Sequence, residues 1–124
     1  MKDTFRFRDF PVYQEARKFR QELKQLTQKC FPKEETFILR SQLWRSLDSI
    51  LLNVAEGSER YTDKDFSHFL NISVGSVSEV VACLDCALDD NYVTIHEHQQ
   101  YLDRAENILR QLKAFLAKVR SESR

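Results

Sequence analysis

The chain has 124 residues, close to the commonest size of one domain, and only two glycines and two prolines interrupt it. Its 19 Lys and Arg balance its 19 Asp and Glu, so the formal net charge is zero, which excludes the class of uniformly basic nucleic-acid-binding domains. The sequence shows no secretory signal, no apolar run long enough for a membrane span and three cysteines without disulfide-like spacing, and it predicts a soluble cytoplasmic protein.

The first ten residues, 1–10, are predicted to form an extended arm. Phe5 and Phe7 are interleaved with basic residues, and this period of two is typical of an extended chain. Together with Phe10, these rings must be buried either against the protein's own helices or against a neighbouring subunit. We therefore place Phe5, Phe7 and Phe10 among the candidates for an oligomer interface.

Four apolar patterns of helical period follow, in residues 11–121. The first covers residues 12–30, and steps of three and four place its apolar side chains on one face. Pro11 suits the first position of a helix, and Pro32 prevents the helix from continuing. The first helix is therefore bounded on both sides by proline.

The second and third patterns carry their own boundary signals. The second covers residues 39–54 and is predicted to end at Gly57, because glycine commonly follows the last turn of a helix. The third begins after Thr62, which forms a capping-box pattern with Asp65 three residues later. Gly75 lies inside the third pattern, where glycine costs stability, and we expect it to permit close approach of a neighbouring helix.

The fourth pattern begins at Thr94, where Glu97 completes a capping box. Its apolar seam consists of Leu102, Ala105, Leu109, Leu112, Leu116 and Val119. The short links between the four patterns favour antiparallel neighbours. The sequence therefore predicts an all-α protein, an antiparallel up-down-up-down four-helix bundle over residues 11–121.

The zero net charge hides an uneven distribution. Residues 1–40 carry a net charge of +4, residues 41–95 of −6 and residues 96–124 of +2. The first and last helices are neighbours in such a bundle, so their basic stripes would share one side and could bind phosphates. The candidate nucleic-acid-binding residues are Arg17, Arg20 and Lys24 on the first helix and Arg110, Lys113 and Arg120 on the last. The alternative interpretation is a solvated face with local ion pairs.

A stripe of polar residues runs along the second helix at steps of three and four. Its members are Gln42, Arg45, Ser49, Asn53 and Glu56, continued by Arg60. Polar groups beside an apolar seam need hydrogen-bond partners when they are buried. We interpret the stripe as a hydrogen-bond network within the protein or at a subunit interface, with a ligand or nucleic-acid contact as the alternative.

No residue pattern typical of catalysis is present in the sequence. Cys83 and Cys86 form a Cys-x-x-Cys pair, but a zinc site usually needs a second pair, and the redox version of this motif occurs in a βαβ context. The other possible ligands are Cys30, His96 and His98. We predict a non-enzymatic protein without a metal or cofactor, and a metal-dependent enzyme is the remote alternative.

The polar stripe lies in a segment that resembles a known family. The runs that carry the resemblance are Gln42-Leu43-Trp44-Arg45-Ser46, Ser49-Ile50 and Asn53-Val54-Ala55-Glu56-Gly57-Ser58-Glu59-Arg60, with further matches at Phe31-Pro32, Asp65-Phe66 and Gly75-Ser76. Over residues 10–118 the chain resembles the bacterial four-helix-bundle proteins first noted as products of intervening sequences in large-subunit ribosomal RNA genes.

The resemblance implies a bundle without established enzymatic activity that assembles into a ring-like homopentamer. It also implies similarity to the accessory variability proteins of diversity-generating retroelements, which bind nucleic acid and a reverse transcriptase through basic surfaces. The sequence departs from the family pattern at Trp44, where an arginine is usual, and at Asp48 and Leu51, which replace more typical apolar and proline residues. Trp44 offers a large surface suited to a subunit interface and joins the interface candidates.

Two functions remain open at this point. The first is a homo-oligomeric, pentameric adaptor that contacts RNA or DNA, either with a reverse transcriptase or in association with ribosomal RNA. The second is an oligomeric scaffold that binds only proteins, which fits the zero net charge, the aromatic arm and Trp44.

Overall fold

A computed structural model describes residues 4–122, and these form four long helices joined by short connections. The helices are α1 (Pro11–Cys30), α2 (Leu39–Ser58), α3 (Asp63–Asp89) and α4 (Ile95–Glu122), with 3₁₀ turns at Arg6–Asp9 and Lys33–Glu35. α1 packs against α2 and α4, α3 packs against the same two helices, and within the described residues no Cα atoms of the diagonal pairs come within 8 Å of each other. The predicted all-α, up-down-up-down bundle is confirmed.

The predicted caps of the third and fourth helices are both present. The Thr62 hydroxyl oxygen accepts a hydrogen bond of 3.1 Å from the backbone N–H of Asp65. At α4, the Glu97 carboxylate accepts from the Thr94 backbone N–H at 2.8 Å, and the Thr94 hydroxyl accepts from the Glu97 N–H at 3.0 Å. These bonds satisfy N–H groups that have no partner within the helix.

In the link between α3 and α4, a residue in the left-handed backbone conformation ends α3. Asn91 has a φ of 63°, in the region that favours glycine and that asparagine also tolerates. Its N–H bonds to the Leu88 carbonyl at 3.0 Å, and the Tyr92 N–H bonds to the Ala87 carbonyl at 2.8 Å. This is the hydrogen-bond pattern of a Schellman motif, and it turns the chain back along α3.

The core of the bundle contains large apolar side chains from all four helices. Among the most deeply buried are Phe19, Leu23, Leu43, Leu47, Ile50, Leu70, Leu84, Ile108 and Leu112. On α4 the predicted seam is wrong at two positions, since Tyr101 and Ile108 are buried and Leu102 and Leu109 are only half-buried. Each shift is one residue, and the ring of Tyr101 lies near Phe19, with 6.3 Å between ring centroids.

Helix α3 is the most apolar of the described helices. By length and hydropathy alone it could cross a membrane, contrary to the expectation that no segment of the chain could. In the bundle, however, it packs along both α2 and α4. Apolar residues of α3 are therefore used in packing against two neighbouring helices.

Both glycines behave differently from the expectation. Gly57 does not follow α2 but lies inside it, buried against Phe66 and Phe69 of α3. Gly75 is exposed on α3, and a Cβ atom there would meet no atom within 4 Å. The close approach expected at Gly75 therefore occurs at Gly57.

The predicted extended arm is wrong for residues 6–9, which form a 3₁₀ turn, while residues 1–3 lie outside the described part of the chain. The turn brings Arg6 back to the end of α2, where its Nε and Nη2 donate to the Ser58 carbonyl at 3.2 and 2.7 Å. Phe10 then packs edge-on against Phe115 of α4, with 5.0 Å between ring centroids. These contacts outweigh the local preference that an alternating pattern expresses.

Candidate nucleic-acid interface

The basic residues of α1 lie on the side of the helix that faces α2. Arg17, Arg20 and Lys24 follow one another at steps of three and four, so they share one stripe beside the buried face of α1. Arg17 is exposed, whereas Arg20 and Lys24 reach across to α2. The predicted α1 stripe therefore exists as a surface, but two of its three cations have an acidic partner.

That partner is Asp48 of α2. Its Oδ1 accepts a hydrogen bond of 2.6 Å from Arg20 Nε and one of 3.0 Å from Lys24 Nζ. Partial burial alone would raise the pKa of the Asp48 carboxyl, but the bonds and positive charges of Arg20 and Lys24 outweigh burial and lower it. Asp48 is therefore ionised at neutral pH, and it pairs with two of the three α1 cations that were predicted to bind phosphate.

An open groove lies between α1, α2 and the 3₁₀ turn, and we call it the α1–α2 groove. Its lining has four basic, two acidic, three apolar and two amide side chains. They are Arg8, Arg17, Lys18, Arg20, Asp9, Asp48, Tyr13, Leu51, Leu52, Gln14 and Gln21. The excess of basic over acidic side chains suits a ligand that carries phosphates.

Trp44 lies next to this groove and is satisfied within the chain. Its indole N–H donates to the Thr27 hydroxyl at 2.9 Å. Lys24 Nζ lies 4.8 Å and the Arg40 guanidinium carbon 5.0 Å from the centre of the Trp44 ring. The Lys24 contact joins α1 to α2, whereas Arg40 lies on α2 itself, one turn before Trp44. The expectation of a subunit interface at Trp44 stays a prediction.

The basic residues of α4 are not brought beside those of α1. Arg104 marks the side of α4 that faces α1, since its Nη1 donates to Glu22. At about 100° per residue, Arg110, Lys113 and Arg120 lie between about 120° and 180° around α4 from Arg104. The expectation that both stripes share one side is therefore wrong, and all three α4 cations are exposed on another surface.

The polar stripe of α2 forms hydrogen bonds with α3 along its first half. Gln42 Nε2 donates to Glu79 Oε2 at 3.3 Å, and the Ser76 hydroxyl donates to the Ser49 hydroxyl at 2.7 Å. Buried Ser46, which was not assigned to the stripe, also donates to Glu79 at 3.0 Å. These bonds provide the partners that the buried polar groups require.

The remaining members of the stripe contact residues nearby in the sequence. Arg45 Nη2 donates to Gln42 at 3.1 Å, and Asn53 Nδ2 donates to the Ser49 carbonyl at 2.8 Å. Arg60 lies 3.6 Å from the Glu56 carboxylate and 4.7 Å from the centre of the Phe69 ring. The stripe is thus largely a network within the chain, and its role at a subunit interface stays a prediction.

The aromatic residues of the arm pack on the protein's own helices. Phe10 contacts both Phe66 and Phe115, and Phe7 lies edge-on to Tyr13 with 5.0 Å between ring centroids. Phe5 is 53% exposed and tilted against Phe7. Of the two alternatives for burying these rings, the structure shows packing within one chain for Phe7 and Phe10.

The candidate metal ligands do not form a cluster. Within residues 4–122, no three His, Cys, Asp or Glu side chains come together in an arrangement that could hold a metal ion. Cys83 is buried and Cys86 is exposed. His98 instead lies 2.8 Å from the Asp85 carboxylate. The cysteine pair therefore has no third ligand in the described residues.

Sequence reasoning missed four of the six charged residues of the groove: Arg8, Asp9, Lys18 and Asp48. Arg8 and Lys18 were visible as charges beside Phe7 and Arg17, but only the 3₁₀ turn brings Arg8 to α1. Asp48 is separated by 28 residues from Arg20, so no local pattern indicates the pair. Two signals were present, its departure from the family pattern and its position four residues after Trp44 on α2, but using them requires the helix pairing to be known.

Comparisons with known proteins agree with this architecture. A family model described as 23S rRNA-intervening sequence protein matches residues 8–114. A solved structure from Bacteroides thetaiotaomicron, described as a protein with unknown function from the S23 ribosomal protein family, superposes with a TM-score of 0.78. At 21% sequence identity, covering 86% of this chain and 95% of that one, the likeness shows the fold. A search of curated proteins gave no match.

Proposed function

Because this chain belongs to the 23S rRNA-intervening sequence protein family, and a similar solved structure is described as a protein with unknown function, we propose its role from its own surface chemistry. The proposed function is that of a non-enzymatic bundle that binds RNA through the α1–α2 groove. The observation that carries this proposal is the convergence of Arg8, Arg17, Lys18 and Arg20 from two elements onto one open surface.

The shape of the groove supports a polyanion rather than a small anion. The α1 stripe from Arg17 to Lys24 spans seven residues, or about 10 Å along the helix. Phosphates in one strand of a duplex follow each other at about 3.4 Å along the axis, so the stripe has the length of about three phosphates. A strand lying along α1 would meet several cations in succession, and neutral Gln14 and Gln21 offer further hydrogen bonds to its backbone.

The proposal includes assembly and location. We propose that the chain forms a homo-oligomer in the cytoplasm, a ring-like pentamer as the resemblance implies, so that several grooves act on one nucleic acid. We propose a reverse transcriptase and ribosomal RNA as partners on the basis of the resemblance alone. The groove does not distinguish RNA from DNA, and both are to be compared as ligands.

The test is a titration of the purified protein into labelled structured RNA at two salt concentrations. Binding should be tight at low salt and fall steeply with added salt, because phosphate contacts release counterions. Arg17→Glu should weaken binding at least ten-fold. Arg110→Glu is the matched control, since it makes the same charge change on the surface of α4 outside the groove. Equal weakening by both variants, or no binding by the wild-type protein, would count against the groove.

A second candidate function is an oligomeric protein scaffold, and exposed apolar residues at one end of the bundle favour it. Phe37 and Ile38, just before α2, are 90% and 65% exposed, and Ile95, the first residue of α4, is 76% exposed. These residues belong to the same end, because α2 and α4 run in the same direction. Light scattering should show a lower mass for a Phe37→Ser, Ile95→Ser double variant if this end holds subunits together. An unchanged mass with unchanged RNA binding would mean that this end of the bundle does not hold subunits together.

A further inference from the structure

We propose that Asp48 is a built-in competitor for the phosphates of the nucleic acid that the α1–α2 groove binds. In the free protein its carboxylate occupies Arg20 and Lys24, and a bound phosphate must share or take over these two cations. The proposal rests on the proposed function of the groove, and it states what limits the affinity of that site.

The geometry of the pair supports competition. One oxygen of Asp48 accepts from both Arg20 and Lys24, so a single carboxylate holds two cations from successive turns of α1. The side chains of Asp48 and Arg20 are 40% and 38% exposed, so the pair lies at the surface within reach of a ligand. A phosphate oxygen requires the same donors in the same place.

The charge of the groove supports the same conclusion. Asp48 and Asp9 are the acidic residues among the groove's lining, against four basic ones. A carboxylate that stays ionised beside Arg20 repels a phosphate approaching the same guanidinium, and it also cancels part of the positive field that attracts a polyanion. Removing this one charge should therefore raise the affinity of the groove.

Asp48 is expected to affect the stability of the fold less than it affects ligand binding. α1 and α2 are already held together by buried Leu23, Leu43 and Leu47 and by the bond from Trp44 to Thr27. Ion pairs with partly exposed side chains contribute little to stability, because water and salt screen them. The fold therefore does not depend on Asp48, and the chief consequence of its charge is expected at the ligand.

The test compares Asp48→Asn with Glu22→Gln. Both variants remove one negative charge. Asp48 loses its ion pairs with Arg20 and Lys24, and Glu22 loses its ion pair with Arg104, but Glu22 lies about 160° around α1 from Arg20 and outside the groove. Binding of labelled structured RNA is measured by fluorescence anisotropy at several salt concentrations, with thermal unfolding as the check on folding. Asp48→Ser serves as a second variant if the asparagine protein does not fold.

Asp48→Asn should bind several-fold more tightly than the wild type, whereas Glu22→Gln should bind like the wild type. The slope of log K against log salt should become steeper by about one to two units, because each new phosphate contact adds about 0.9 for a duplex ligand. Arg17→Glu in the Asp48→Asn background should reverse the gain.

Three results would overturn the inference. Weaker binding of Asp48→Asn would mean that the carboxylate positions Arg20 for the ligand, and unchanged binding would mean that it does not compete. Equal tightening by Glu22→Gln would mean that overall charge, and not the position of Asp48, sets the affinity. If neither the wild type nor Asp48→Asn binds RNA, the proposed function itself is wrong. If the wild type binds RNA, Arg17→Glu abolishes that binding and Asp48→Asn leaves it unchanged, only the proposed competition is wrong.

Discussion

Gly57 on α2 and Phe66 on α3 pack so closely that a Cβ atom at position 57 would lie 2.9 Å from Cδ1 of Phe66. The same Cβ would lie 2.8 Å from the Cβ of Phe69, which cannot turn aside as the end of a long side chain can. Phe66 in turn contacts Phe10 and Phe115. Because glycine has no side chain, α2 and α3 can lie this close together at position 57. The arm, through Phe10, and α4, through Phe115, pack at the same place.

We expect Gly57→Ala to destabilise the protein. The added methyl group must push Phe66 or the backbone of α3 aside, and overpacking of this kind costs about 1–3 kcal/mol. The better helix propensity of alanine offsets about 1 kcal/mol of this cost. Urea unfolding monitored by circular dichroism measures the net change, and a variant that is more stable than the wild type by the full helix-propensity gain would contradict the close packing.

Gly75→Ala should have the opposite effect. This glycine is also inside a helix, but its position is exposed and a Cβ atom there meets nothing within 4 Å. Alanine should therefore stabilise the protein by about 0.5–1 kcal/mol through helix propensity alone. The same urea experiment tests it, and a loss of stability would show that an unseen neighbour, such as a second subunit, covers this face of α3.

Arg6→Ala should release the N-terminal arm. The variant loses two hydrogen bonds to the Ser58 carbonyl and the contacts of the guanidinium with Phe10 and Phe66. We expect faster amide hydrogen exchange in residues 5–10 and a stability loss of about 1 kcal/mol. Arg6→Lys should recover only part of the effect, since an ammonium group lacks the planar fork. Unchanged exchange would mean that Phe10 alone holds the arm.

The ion pairs of Asp48 should make stability depend on acid. The pKa of this carboxyl is lowered from its ordinary value of 3.8, so the pairs stabilise the folded state above that pH and lose their effect as the pH falls through the folded-state pKa. The difference in unfolding free energy between wild type and Asp48→Asn should therefore shrink between about pH 5 and about pH 2. The effect should be small, because the side chain is 40% exposed and salt screens it. A difference that stays constant over this range would contradict the depressed pKa.

The parts of the fold that the sequence predicted correctly are those decided by nearby residues. Thr94 and Glu97 are three positions apart, and their side chains meet because a helix begins there. The role of Gly57 could not be predicted in this way, since Phe66 and Phe69 define it from another helix. A glycine near the end of an apolar pattern has the same local signature whether it ends the helix or admits a neighbour.

The candidate interface shows the same division. The spacing of Arg17, Arg20 and Lys24 predicted a common stripe, but not that Asp48 would pair with two of its members. The separation of the α4 cations from this stripe depends on the rotation of α4 about its axis. The buried seam of α4 includes Tyr101 and Ile108, each one residue away from the predicted position, so a small error in the seam changes the predicted rotation. One residue rotates a helix by about 100°, enough to move a charge to another surface.

Trp44 is the single tryptophan of the chain, and Lys24 lies over its ring while also binding Asp48. A ligand that draws Lys24 away from Asp48 also changes the charge above the indole. The intrinsic fluorescence of the unlabelled protein is consequently an optical reporter placed at the edge of the α1–α2 groove, free of any background from a second tryptophan.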